Sequence, residues 1–119
     1  MTRKDQERRI TRSFRIVNRF VGHRFPEFYE VGLYIGCPMA EEQHRADPRG
    51  YMHTHCRPET ICSSWAAGEL SMANLLGLFL HEFGHLIGGN EQADADIAIL
   101  ESFGLPILYD RRGVQYIEV

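Results

Sequence analysis

The chain has no hydrophobic run approaching the roughly 18 residues that a membrane span requires. Its longest, from Leu75 to Leu80, has only the length of a buried helix segment. The N-terminus, Met1-Thr2-Arg3-Lys4-Asp5-Gln6-Glu7-Arg8-Arg9, is charged, and no apolar stretch follows it. It does not read as a secretory signal, so the expected compartment is the cytoplasm. Cysteine is scarce and odd in number: Cys37, Cys56 and Cys62. That argues against a disulfide framework and predicts reduced thiols. Internal repeats and low-complexity tracts are absent. A composition of 44% hydrophobic and 24% charged residues is that of a globular protein, not of a disordered, collagen-like or coiled-coil chain. At 119 residues there is room for one domain around one core.

The net charge of −3 is unevenly placed. Residues 1–25 carry eight Lys/Arg against two Asp/Glu, a balance of +6, which leaves −9 for the remainder. Within this basic segment Ile10, Phe14, Val17 and Val21 recur at the helical period, and Arg8, Arg12, Arg15 and Arg19 do the same on nearly the opposite face. An amphipathic helix is expected from about Asp5 to Val21, and Pro26 closes the region.

Alternation of Val31, Leu33 and Ile35 predicts a strand over Tyr29 to Ile35, ended by Cys37-Pro38. Met39 to Gly50 is polar, holds the turn sequence Asp47-Pro48-Arg49-Gly50, and reads as an exposed loop. Tyr51–Cys56 and Thr60–Ser64 are short strand candidates. A helix apolar over most of its circumference is predicted from about Ser71 to Ile87, stopped by Gly88-Gly89. Asn90 is a plausible N-cap for a second helix from Glu91 to about Ser102, which Gly104 and Pro106 end. A hairpin follows, with strands at Ile107–Tyr109 and Val114–Ile117.

The chemistry-bearing stretch is His81-Glu82-Phe83-Gly84-His85-Leu86-Ile87-Gly88-Gly89-Asn90-Glu91. Residues i and i+4 of a helix lie one turn apart on one face, so His81 and His85 can aim two imidazoles at one ion. Zinc accepts neutral imidazole nitrogens at about 2.0–2.1 Å and, in a catalytic site, takes a third protein ligand and a water. Glu82, about 100° round the helix from His81, would stand beside that water and take its proton as hydroxide attacks a peptide carbonyl. Two histidines and a glutamate interrupting an apolar helix are costly without a partner such as a metal. Core residues Met72, Leu76, Phe79, Phe83 and Leu86 occupy the far side of the helix. Gly77 and Gly84 fall together on a flank where another segment could approach closely.

His-Glu-x-x-His on a buried helix resembles the zincin metallopeptidases. In metzincins the motif extends through a glycine to a third ligand, positions held here by Gly88 and Glu91, but no Met follows Met72 to supply their Met-turn. The chain is also similar to the short ImmA/IrrE-type proteases of bacteria and phages, whose HExxH helix precedes a helix rich in Glu-Ala-Asp. Glu91-Gln92-Ala93-Asp94 is the corresponding run. Gluzincin-like families place a supporting Asp or Asn four residues after the ligand Glu, whereas Asp94 is three after Glu91. The resemblance covers about residues 70–106. It implies an α+β zincin-like minidomain, a zinc cofactor and a peptide or protein substrate. Glu91 is then the third ligand, or alternatively Asp94.

His53-Thr54-His55-Cys56, with Cys62 beyond, is a weaker candidate for a second zinc site. Its spacing matches no standard finger, and a half-buried strand with exposed histidines is the expected reading. Its edge could still take up a substrate strand. The arginine stripe suggests nucleic acid or an anionic surface, against a plain solvated helix face. Tyr109 and Tyr116 are candidate oxyanion donors but are expected to serve in packing. The sequence thus favours a zinc metallopeptidase with Glu82 as general base and His81, His85 and Glu91 on the metal. The alternative is a DNA- or partner-binding regulator that uses the basic helix, with zinc structural or absent.

Overall fold

The computed structural model describes residues 1–54, 56–88, 91–105, 107–110 and 113–117, the last two stretches by backbone alone. The first helix, α1, covers Arg3–Arg24 and outruns the expected range at both ends. Its start is fixed by a capping box. Asp5 N–H donates to Thr2 Oγ1 at 3.1 Å, and Thr2 N–H donates back to Asp5 Oδ2 at 3.3 Å. Ile10, Phe14, Val17 and Val21 are buried as their period requires, and Phe14 packs edge-on to Phe79 and stacked on Phe83.

Pro26 starts a 3-10 turn over Pro26–Glu30, because its fixed φ suits a first helical position. The expected strand therefore begins not at Tyr29 but at Gly32, as β1 (Gly32–Ile35). The segment expected to be an exposed loop is a helix, α2 (Pro38–Ala46). Cys37 occupies its N-cap position, Pro38 its first turn, and His44 and Arg45 its last turn. Only Ala40 is buried on it, so there is no apolar stripe by which it could be read.

Strands β2 (Met52–His53) and β3 (Thr60–Ser63) complete a sheet of order β1-β3-β2. β3 runs parallel to β1, with Leu33 opposite Ile61, and antiparallel to β2, with His53 opposite Cys62. A second 3-10 turn, Trp65–Glu69, leads into α3 (Met72–Ile87). Arg9 of α1 ties this turn down: its Nε donates to Gly68 O at 2.9 Å, and its other guanidinium nitrogen donates to Leu70 O.

Ser71 caps α3 by accepting from Asn74 N–H at 3.1 Å. The helix is central. Leu75, Leu78, Phe79, Leu80 and Phe83 are buried, and α1, α4 (Gln92–Phe103) and β2 pack around it. α4 ends at Gly104, whose left-handed φ of +69° suits glycine. The C-terminal strands β4 (Ile107–Asp110) and β5 (Gly113–Ile117) pair as the expected antiparallel hairpin, with β5 beside α3 and β4 beside α4. Among the described residues the architecture is α+β: four helices with a small three-stranded sheet and a separate hairpin. Among the described residues no helix is long and apolar enough to cross a membrane.

Candidate metal centre

The site begins with one glycine. A Cβ on Gly84 would overlap the carbonyl oxygen of Ala95 and lie 2.9 Å from its carbonyl carbon. Only a residue without a side chain lets α4 lie this close to the histidine-bearing turns of α3. The close approach expected at Gly84 is thus made by α4.

α3 brings His81, Glu82 and His85 together, with one ligand atom from each lying within 4.8 Å of the others. The two imidazole rings are 4.7 Å apart at nearly right angles. His81 and Glu82 are buried, and His85 is half-buried toward the helix end. Across from them stands Gln92. Its Oε1 lies 2.5 Å from His81 Nε2 and 3.1 Å from His85 Nε2, so both nitrogens converge on one point. On its other side, His81 Nδ1 meets Asp96 Oδ1 at 2.7 Å.

Burial opposes protonation of His81. The Asp96 hydrogen bond, the Glu82 charge and the Gln92 hydrogen bond outweigh it and raise the imidazole above its usual pKa. Burial pushes Glu82 up to about 7, against the lowering influence of His81.

Glu91 and Asp94, the two carboxylates proposed from spacing, are not brought into this cluster. Glu91 is exposed at the N-cap of α4, and Asp94 is exposed in its first turn. Sequence reasoning passed over Gln92 and Asp96 instead. A signal for them existed. Ala95 and Ile99 are the buried residues of α4, and Gln92 and Asp96 lie three positions before each, on the same side. Gln92 and Asp96 are four residues apart, one turn of α4, which puts both on the side that faces His81.

His53, expected to be exposed, is instead buried at 4% accessibility, because β2 is folded between β3 and α3. His55 lies outside the described residues, as do the side chains of Tyr109 and Tyr116. The arginine stripe is on the surface: Arg8, Arg12, Arg15 and Arg19 are all exposed. Among the described residues only Arg8 of these four has an ion-pair partner, Asp5 at 3.9 Å. Comparison of the chain with family models, with curated proteins and with solved structures finds no match.

Proposed function

We propose that the protein is a zinc-dependent metallopeptidase of zincin type, acting on peptide or protein substrates. The observation that carries this reading is the convergence of His81 Nε2 and His85 Nε2 on a single point while Asp96 holds the far nitrogen of His81. A histidine that ligates a metal commonly gives its other ring N–H to a carboxylate, and that contact fixes its tautomer and orientation. The donor set therefore fits zinc: His81 and His85 would hold it, with an oxygen from the start of α4 as third donor. Gln92 presents its side-chain oxygen to both imidazoles, and Glu91, one residue earlier, has the metzincin spacing.

When bound, zinc would polarise a peptide carbonyl and lower the pKa of a water to about 7. The chain's own residues do the rest. One oxygen of Glu82 lies within 4.8 Å of a ligand nitrogen of each histidine, so it would stand beside a water held there. It takes a proton as the water oxygen adds to the carbonyl carbon, and it returns that proton to the departing amine nitrogen as the C–N bond breaks. The low exposure of Glu82 and His81 keeps bulk water from competing for these contacts.

The test is a comparison of wild type with His81→Ala. Wild type should cleave a mixed quenched-fluorescence peptide pool, and the variant should lose one equivalent of zinc together with that cleavage. Equal zinc content in the two proteins would sink the assignment.

A further inference from the structure

A second set of side chains that could hold a metal lies outside the His81 cluster. Cys37, His53, Cys56 and Cys62 offer one ligand atom each, all within 4.8 Å of one another. They come from four different places: the N-cap position of α2, strand β2, the connection after it, and strand β3. Sheet register explains half of the cluster, because His53 and Cys62 are cross-strand partners on one face. The start of α2 then swings Cys37 over that face, with Cys37, Ala40 and Cys62 forming a small core against which Cys56 and Tyr34 pack.

We propose that Cys37, His53, Cys56 and Cys62 form a closed structural zinc site that clamps α2 to the edge of the sheet. Three features carry this. The set is three thiols and one imidazole, a recurrent structural zinc set with no position left open for substrate. Two sulfurs on one tetrahedral zinc, each at about 2.3 Å, lie about 3.8 Å apart. Cys37 Sγ and Cys56 Sγ are 3.6 Å apart, far longer than the roughly 2.05 Å of a disulfide bond. Finally, His53 Nδ1 is 2.9 Å from Gln43 Oε1 of α2. Donation of that N–H places the imidazole lone pair on Nε2, the form that ligates a metal, and the partner is the same helix that Cys37 starts.

Thiolate donors select zinc over the harder divalent ions. Formation of the site exchanges thiol protons for the metal, with no change of oxidation state.

The experiment uses the full chain carrying His81→Ala and His85→Ala, purified with reductant and zinc. It should keep one zinc per chain, and a further Cys62→Ser change should remove it. Cobalt(II) exchanged into the wild-type chain should show sulfur-to-metal charge-transfer absorption, which imidazole and carboxylate donors at the other centre do not produce. This spectrum needs no variant to fold. Chelation should lower the melting temperature of the double-histidine variant. Absence of zinc from that variant, or a cobalt spectrum without the sulfur band, overturns the proposal. So does one titratable thiol with a mass two hydrogens lower, which marks a Cys37–Cys56 disulfide, or iron with acid-labile sulfide in place of zinc. Because the two centres share no ligand, loss of this site leaves the His81 result standing, and the reverse.

Discussion

Gly84→Ala tests whether the α3–α4 contact builds the metal centre. Helix propensity alone would make the change favourable by about 0.8–1.0 kcal/mol, since alanine is the better helix former. The structure reverses that sign. The new Cβ would overlap Ala95 O and stand 2.9 Å from Ala95 C and 3.1 Å from its Cα. All three are backbone atoms of α4 and have no rotamer by which to move aside. Overpacking of this kind costs about 1–3 kcal/mol, occasionally more. Set against the propensity gain, the expected net effect is a loss of up to about 2 kcal/mol, read as a lower denaturant midpoint with an unchanged slope. The melting temperature should fall by roughly 5 °C. The variant has a second, more specific consequence. Pushing α4 outward carries Gln92 and Asp96 away from His81, so zinc affinity at that centre should fall by about 10-fold or more. Denaturant titration and competition with a zinc chelator read the two effects separately. A Gly84→Ala protein as stable as wild type, with unchanged zinc affinity, would refute the packing argument.

Other changes probe the neighbours. Asp96→Asn removes the charge behind His81 but keeps the shape, and zinc affinity measured by chelator competition should drop about 10- to 100-fold. At the start of α4, Gln92→Ala should weaken zinc binding and Gln92→Glu should tighten it, because a carboxylate replaces a neutral amide beside a divalent ion. With Gln92 as the third donor, Glu91→Ala and Asp94→Ala leave affinity nearly unchanged in the same titration, and a loss confined to Glu91→Ala assigns the third-ligand role to Glu91 instead. Reversing Arg12 and Arg15 to Glu should leave folding and peptide cleavage nearly as they were, as expected of exposed side chains. Salt-sensitive DNA binding by wild type, lost in that double variant, would instead favour a regulator.

The parts legible in the sequence are those written in local periodicity. α1 could be read because Ile10, Phe14, Val17 and Val21 repeat at the period of the face they bury. α3 could be read because it is apolar over most of its circumference, although of its expected core residues Phe79 and Phe83 are buried and Met72, Leu76 and Leu86 only partly so. His81, Glu82 and His85 could be grouped because one helical turn brings them together whatever the rest of the chain does. α2 was not legible, because a helix that buries only Ala40 has no apolar stripe, and its polar residues match those of a loop. The first turn of α4 failed differently. Four polar residues from Glu91 to Asp96 compete to face α3, and the choice of Gln92 and Asp96 depends on how α4 is rotated at Gly84, which is a tertiary fact. In the second cluster His53, Cys56 and Cys62 were legible as candidates, and Cys37 was hidden for the same reason. Cys37 meets His53 and Cys62 only through a sheet whose β1–β3 pairing spans the intervening helix.

The central claim is that Glu82 acts as the base of a zinc peptidase. It is tested most directly by Glu82→Gln, which keeps the shape of a side chain only 4% accessible and removes its ability to accept the proton. Cleavage of the quenched peptide pool and zinc content are to be measured on the same preparations. Hydrolysis is expected to fall by about 10²-fold or more while zinc content stays at the wild-type level. Full hydrolysis by the zinc-loaded Gln variant would contradict it.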